Sequence, residues 1–336
     1  MSIIGCDLHT RYQVIARIDT ETGEMTTRRL EHENGEAKAF YASAPKPSLI
    51  GIEATGYTQW FERMVAEFGH ELWVGDPAEI RARAVRRQKT DTRDAEHLLD
   101  LLANQRFPRI WVPTPAERDL RQLLKHRDKL VRMQTSIRNQ LHFLAMSQGL
   151  CRKKKLGTVK GRSELEALSL GDWARQRRQE LLELLDRFDP SLEKLSQAVK
   201  EQAERRADCR ELMKLKGVGP VTSLAYVLTV GPVSRFSNSR ARVSYLGLNP
   251  SEHSSGGRQR LGKISKQGNQ MLRWLLVEAG HGVGQFDAEM RRKYQRLKFR
   301  RGGAVASVAL ARHLAVLLYW KLRQAGTTTT SAGSHA

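Results

Sequence analysis

Two runs near the N-terminus decide the fold class: Ser2-Ile3-Ile4-Gly5-Cys6-Asp7, and, after a polar break, Tyr12-Gln13-Val14-Ile15-Ala16-Arg17-Ile18. The first is a short apolar run closed by an acid, and it reads as a buried strand over 2–6. The second reads as its hairpin partner, and 25–31 as a weaker third strand. Working outward, 34–44 has a helical pattern, and 47–54 is another apolar strand, with Glu53 near its end. A helix opens at Gly56-Tyr57-Thr58-Gln59-Trp60 and runs to about residue 68. A short strand follows at 70–74, and Pro77 marks the next helix start. Strands first, then strand and helix in alternation, specify an α/β layer unit with a mixed sheet. The order β-β-β-α-β-α-β-α is that of the ribonuclease H-like fold.

Beyond this unit the period changes. From 115 to 150, Leu120, Leu123, Leu124, Leu130, Met133, Ile137 and Leu141 recur three and four apart, which predicts one long helix. Residues 151–163 form a basic, glycine-containing link in which Lys153, Lys154, Lys155, Lys160 and Arg162 are candidate contacts to a nucleic-acid backbone. A second helical stretch covers 172 to about 215, with an interruption expected at Asp189-Pro190. Its stripe is Leu181, Leu182, Leu185, Phe188, Leu192, Leu195 and Val199. Two long helices joined by a link read either as an antiparallel coiled-coil arm or as an ordinary core helix pair. Leu215-Lys216-Gly217-Val218-Gly219-Pro220, followed by an apolar helix, has the form of a helix–hairpin–helix element. Gly217 and Gly219 would let the backbone approach a phosphate at a helix N-terminus, or else form a plain turn. The chain therefore divides into an α/β unit at 1–112, a helical arm at 113–210, a mainly helical unit at 211–325 and a tail at 326–336 that is expected to be disordered.

The net charge of +21 is unevenly spread. Residues 1–75 hold seven basic and eleven acidic side chains, and the remainder 50 against 25. A surplus on that scale points to a polyanionic partner, nucleic acid first. Neither a long apolar stretch nor a lipidation motif accompanies it, which argues against a membrane. Cys6, Cys151 and Cys209 form no disulfide framework and no C-x-x-C metal site. With no signal peptide, a reducing cytoplasm is the expected compartment.

Against this basic background four acids stand out: Asp7 in Ile-Gly-Cys-Asp, Glu53 in Ile-Glu-Ala-Thr-Gly, and Asp91 and Asp94 in Lys-Thr-Asp-Thr-Arg-Asp-Ala. Two end buried strands, and two share one helix face at i and i+3. Carboxylates repel, so their gathering implies cations, and Mg²⁺ with its oxygen ligands fits phosphodiester chemistry. A lone Asp is more often a cap or turn residue, but that reading fits the two strand-end acids poorly. The second constellation lies at 244–269, a polar glycine-rich segment with Ser254, Ser255, Arg258, Arg260, Lys263 and Lys266. A serine among cations can attack a phosphate, or can donate hydrogen bonds in a phosphate-gripping loop. Spacing alone does not choose between the two serines.

These motifs, with Gly217-Val218-Gly219-Pro220, Tyr245-Leu246-Gly247-Leu248-Asn249-Pro250 and Gly262-Lys263-Ile264-Ser265-Lys266-Gln267-Gly268-Asn269, resemble the DEDD transposases of bacterial insertion sequences. The pilin-gene-inverting recombinase is a relative of that family, and the resemblance covers about 2–320. It implies an N-terminal domain like the Holliday-junction resolvases, a coiled coil and a C-terminal transposase domain. It implies a serine recombinase with a covalent phosphoserine intermediate, and the serine five residues after Pro250 falls on Ser255. It also implies Mg²⁺ at Asp7, Glu53, Asp91 and Asp94, and double-stranded DNA partners at element ends and target. Further implications are a structured guide RNA that pairs with donor and target, a homodimer that becomes a tetramer at the synapse, and a cytoplasmic, nucleoid-associated enzyme. Two other readings stay open. One is a junction-resolving endonuclease using metal-activated water, for which Ser255 is dispensable. The other is a nucleic-acid-binding protein with a decayed site.

Overall fold

The computed structural model describes residues 1–84, 90–151, 156–254, 258 and 260–332, with backbone only for 261 and 326–332. Two compact units divide at Val112/Pro113.

The first unit, Met1–Val112, is built on a five-stranded sheet: β1 (Ser2–Leu8), β2 (Tyr12–Asp19), β3 (Met25–Glu31), β4 (Ser48–Glu53) and β5 (Glu71–Gly75). Their order in the sheet is β3-β2-β1-β4-β5. β1 is antiparallel to β2 and parallel to β4, and β5 is parallel to β4. The sheet has two buried faces, which explains the near-continuous apolar runs of its central strands. One face carries Ile4, Cys6, Ile50, Ile52 and Val74. It packs on Tyr41 of α1 (Glu36–Ser43) and on Phe61 and Val65 of α2 (Gln59–Glu67). The opposite face carries Val14, Ala16, Leu49 and Trp73, under Ala95, Leu98, Leu99 and Leu102 of α4 (Asp91–Ala103). The short α3 (Pro77–Ala82) follows β5, with Asp76 capping it through the amides of Ala78 and Glu79.

β1 extends to Leu8 instead of ending before Asp7, because its pairing with β2 continues through Asp7↔Val14 and Leu8↔Gln13. Asp7 is therefore a strand residue on the α4 face, two positions beyond Gly5.

The second unit is helical. α5 (Pro115–Ser147) starts with a capping box between Thr114 and Glu117. It lies antiparallel to α7 (Asp172–Arg205), as the pairs Arg127–Ser196 (2.9 Å) and Arg177–Gln140 (3.0 Å) fix. Ile137, Leu141, Ala145, Leu181 and Leu182 fill the far part of the seam, closed by Leu165 of α6 (Val159–Glu166). The interruption expected at Pro190 does not occur, and α7 runs straight through it. A proline deprives the helix of one amide donor and crowds the preceding turn. Here the cost is outweighed by apolar contacts on both sides, with Leu182 and Leu192 both buried. Of the basic link, Lys153, Lys154 and Lys155 fall outside the described residues and Lys160 is exposed. Arg162 is committed elsewhere: it makes a two-pronged ion pair with Asp186 and a third bond to Glu166 at 3.0 Å.

After α8 (Ala207–Met213), α9 (Pro220–Val230) is apolar nearly all round, which is why it is the central helix of this unit. Leu224, Tyr226 and Leu228 are fully buried against α11 (Gln270–Phe286) and α13 (Gly303–Ala332). α13 is long and apolar enough over Gly303–Ala325 to pass as a membrane span by composition. The sequence reading of no long apolar stretch is corrected on this point. Its face Ala306, Leu310, Leu314 and Leu318 is buried, with Tyr226 donating to the Ala315 carbonyl at 3.0 Å. These are the contacts of a core helix. The 327–330 threonine run, expected as disordered, lies on the helical backbone of α13, and 333–336 fall outside the described residues. Cys6, Cys151 and Cys209 are all unpaired, and burial pushes the Cys209 thiol up to about 12.

Candidate active site

Asp91 arrives beside Asp7 because a glycine lets a helix touch a strand. A Cβ on Gly5 would lie 2.3 Å from the Ala95 carbonyl oxygen and 2.4 Å from the Leu99 nitrogen. Without one, α4 rests its backbone on β1, and its first turn arrives beside Asp7. That turn carries Asp91 and Asp94 and is capped by Thr90, whose hydroxyl accepts from the Arg93 amide. The free amides and dipole of a helix N-terminus favour ionised acids there.

Ligand atoms of Asp7, His9 and Asp91 lie within 4.8 Å of one another. His9 Nε2 is 3.0 Å from Asp7 Oδ2 and 3.6 Å from Asp91 Oδ2. Tyr12 donates its hydroxyl to Asp91 Oδ2 at 2.9 Å. The Asp7 carboxyl is held above its ordinary range, first by burial and then by the charges of Asp94 and Asp91, while His9 pulls the other way. A group so placed gains from a cation that offsets like charges and lost hydration. Asp94 is thus close enough to be felt by Asp7. Glu53 stands at the end of β4, one position past the last paired residues of β1 and β4, Cys6 and Ile52. The parallel register puts Asp7 and Glu53 at the carboxyl ends of neighbouring strands, on the face that α4 covers. Glu53 and Asp94 are not in the mutually close set. Beside Asp91 opens a cleft of about 480 Å³ lined by Val14, Arg28, Arg29 and Thr90, so cations flank the approach to the acids.

His9 and Tyr12 escaped the sequence reading. A signal was present, since Asp-x-His at a strand end puts both side chains on one side. A lone histidine beside a turn nonetheless carries little weight.

The second unit presents the serine segment as a hairpin of β6 (Pro250–Glu252) and β7 (Leu261–Ile264), after α10 (Ser239–Tyr245). Ser254 donates to Glu252 Oε1 at 2.6 Å and accepts from the Arg260 amide at 3.1 Å, so its hydroxyl serves the hairpin turn. Ser255 falls outside the described residues. Arg258, Arg260, Lys263 and Lys266 are all exposed, on and beside this hairpin. Gly217 has a packing reason: at φ 91° it faces α11, where a Cβ would lie 2.6 Å from the Val283 nitrogen. Gly219 meets nothing within 4 Å and leads directly into the N-terminus of α9. A further cationic element has no counterpart in the sequence reading. α12 (Ala288–Arg301) carries Arg291, Arg292, Lys293, Arg296, Lys298, Arg300 and Arg301, all exposed, with Phe299 95% exposed among them. Its signal, a basic run at helical spacing, is present in the chain but looks like any solvated face.

Comparison with known proteins accords with this anatomy. The model of the transposase IS116/IS110/IS902 family matches residues 209–295, and a DEDD transposase model of the IS110 group matches 4–145. A Pseudomonas aeruginosa protein named "Probable family 20 transposase" is 27% identical, over 95% of this chain and 96% of its own length. The transposase for insertion sequence element IS1111A of Coxiella burnetii is 27% identical, over 95% and 89%. A Sinorhizobium fredii protein, "Putative transposase y4rJ", is 32% identical, over 85% and 79%. With acidic and serine segments matched in order along one chain, the protein belongs to the IS116/IS110/IS902 family of insertion-sequence transposases, enzymes that cut and rejoin DNA.

Proposed function

We propose that this transposase cuts and exchanges DNA strands through a phosphoserine intermediate on Ser255, in a Mg²⁺-dependent reaction in which Asp7, Glu53, Asp91 and Asp94 hold the metal on a ribonuclease H-like unit. The observation that carries the reading is the approach of Asp91 to Asp7, residues far apart in sequence, at the carboxyl end of a parallel strand pair. The sheet order β3-β2-β1-β4-β5, with two antiparallel and two parallel pairings, favours the fold assignment. The donor set fits a divalent ion: hard carboxylate oxygens, crowded and partly buried, whose repulsion a cation would relieve. A bound ion there supplies charge stabilisation to the scissile phosphate and its leaving oxygen.

Ser255 gives up its hydroxyl proton and its oxygen bonds to phosphorus as one P–O bond of the DNA backbone breaks. The DNA oxygen that leaves takes up a proton. The number of phosphoester bonds is unchanged, so a DNA hydroxyl can reverse the step without ATP. Ser255 is preferred over Ser254 by its place five residues after Pro250. Arg258, Arg260, Lys263 and Lys266 would clamp phosphates, with Gly219 at a helix start as a further contact. The partners in this reading are double-stranded DNA at element ends and target, and a structured guide RNA that does the base reading. The enzyme acts in the cytoplasm on the nucleoid, as a homodimer that pairs into a tetramer at the synapse.

The test is a denaturing assay for a protein–DNA adduct with Mg²⁺, element-end DNA and transcript of the flanking region. The adduct is expected with wild type and Ser254→Ala, and absent with Ser255→Ala and Asp7→Ala. Cleavage without an adduct in any variant would establish instead the hydrolytic enzyme of the Holliday-junction type.

A further inference from the structure

The carboxylate centre contains a nitrogen. His9 follows Asp7 by two residues, and its amide donates to the Tyr12 carbonyl at 3.0 Å, closing the turn from β1 to β2. The turn brings the imidazole inward, so Nε2 lies between carboxylate oxygens of Asp7 and Asp91, at 3.0 and 3.6 Å. Tyr12 holds both partners of this arrangement. Its ring lies 4.7 Å from the His9 ring, and its hydroxyl binds Asp91 Oδ2. Arg29 lies over the Tyr12 ring at 3.6 Å. Orienting contacts of this kind are what outer partners of a metal ligand supply. His9 is 35% exposed, so an ion can reach it from solvent.

Two carboxylates and one imidazole, all within ligand reach of one point, make a mixed nitrogen–oxygen set. An imidazolium counter-ion would sit in the same place while the site is metal-free, but it would have to give way when a cation enters.

We propose that His9 Nε2 is itself a ligand of the divalent cation at this centre, so that the site takes a first-row transition ion such as Mn²⁺ as well as Mg²⁺. The inference rests on the metal reading above and adds a ligand to it. Its chemical basis is that Mg²⁺ prefers all-oxygen shells, whereas imidazole suits transition ions.

Mn²⁺ titrated into the full-length protein gives a direct readout by pulsed electron paramagnetic resonance. Wild type is expected to show ¹⁴N modulation from a directly bound imidazole. His9→Asn and His9→Gln are expected to lose it while still binding Mn²⁺ through the carboxylates. The variants should weaken Mn²⁺ about tenfold or more, a scale that even outer partners of metal ligands reach. Mg²⁺ affinity, measured by competition, should change by no more than about twofold, as expected for an oxygen-preferring ion. Mn²⁺ bound with no ¹⁴N modulation, or modulation that survives both His9 variants, would overturn the proposal and leave the carboxylate site standing. If Asp7→Asn does not diminish Mn²⁺ binding, the metal reading itself fails and this inference with it.

Discussion

At the scale of single residues, Gly5 sets the distance between α4 and the sheet, and through it the distance between Asp91 and Asp7. A methyl group there would meet backbone atoms of Ala95 and Leu99, which no rotamer change can relieve. Gly5→Ala is therefore expected to destabilise the protein by about 1–3 kcal/mol, the usual range for overpacking. It should also weaken Mn²⁺ binding, because the helix must retreat and take Asp91 with it. Thermal unfolding and metal titration of the same variant check both halves. A variant that loses stability but keeps metal affinity would show that the acids do not depend on this close approach. The four acids stand out in the sequence because each lies near the end of an element whose apolar pattern is plain. His9 and Tyr12 were not, because their roles arise from the β1–β2 register and from α4 folding back over both strands. Neither relation leaves a period in the chain.

Elements differ in how far sequence pattern decides them. The central strands follow from apolar runs that a sheet covered on both faces demands, with shifts only at their ends, whereas the edge strand β3 is polar and largely exposed. Pro190 misleads, since propensity argues for a break and packing of α7 along α5 overrides it. The hairpin of β6 and β7 was hidden by its polar composition, there being little apolar alternation in 250–264 to read. At the far end of the α5–α7 pair, α6 is fastened to α7 by Arg162 and Asp186. The hydrogen bonds from Arg162 hold the Asp186 carboxyl below its ordinary range. A depressed acid contributes stability above its unfolded pKa and loses it as pH falls through the folded value. Asp186→Asn should therefore lower hydrogen-exchange protection in α6 a few-fold at neutral pH, the scale of an exposed pair. The difference from wild type should close once pH drops below the normal carboxylate range. Equal protection at neutral pH would mean that Leu165 in the seam, and not the ion pair, holds α6.

α12 invites a separate test at this scale. Arg292, Arg296 and Arg300 recur at i, i+4 and i+8, so they share a face. None of them has an ion-pair partner among the described residues. Replacing all three with alanine should weaken DNA binding and flatten its salt dependence. The slope of log K against log salt should fall by about 0.9 for each duplex phosphate that the protein no longer neutralises. Binding that weakens with an unchanged slope would mean that the substitutions disturb the folding of the helix and that its arginines do not touch phosphate.

For the whole molecule, charge is divided along the same boundary as structure. The unit of residues 1–112 holds 15 basic and 17 acidic side chains, and the unit of residues 113–336 holds 42 and 19. The acidic unit has its own cores on both faces of its sheet, and the basic unit has its own around α9. The carboxylate cluster and the larger basic surplus thus belong to different units. A strongly basic field around the carboxylates would weaken their attraction for a cation. Expressed separately, 1–112 is expected to unfold cooperatively and to retain the carboxylate-dependent Mn²⁺ site, with little affinity for DNA. The 113–336 half is expected to carry most of the salt-sensitive DNA affinity and none of that metal binding. If 1–112 binds duplex DNA as tightly as the full chain at about 0.15 M salt, the arginines beside Asp91 would be the dominant docking surface, and the role assigned to the basic unit would be wrong.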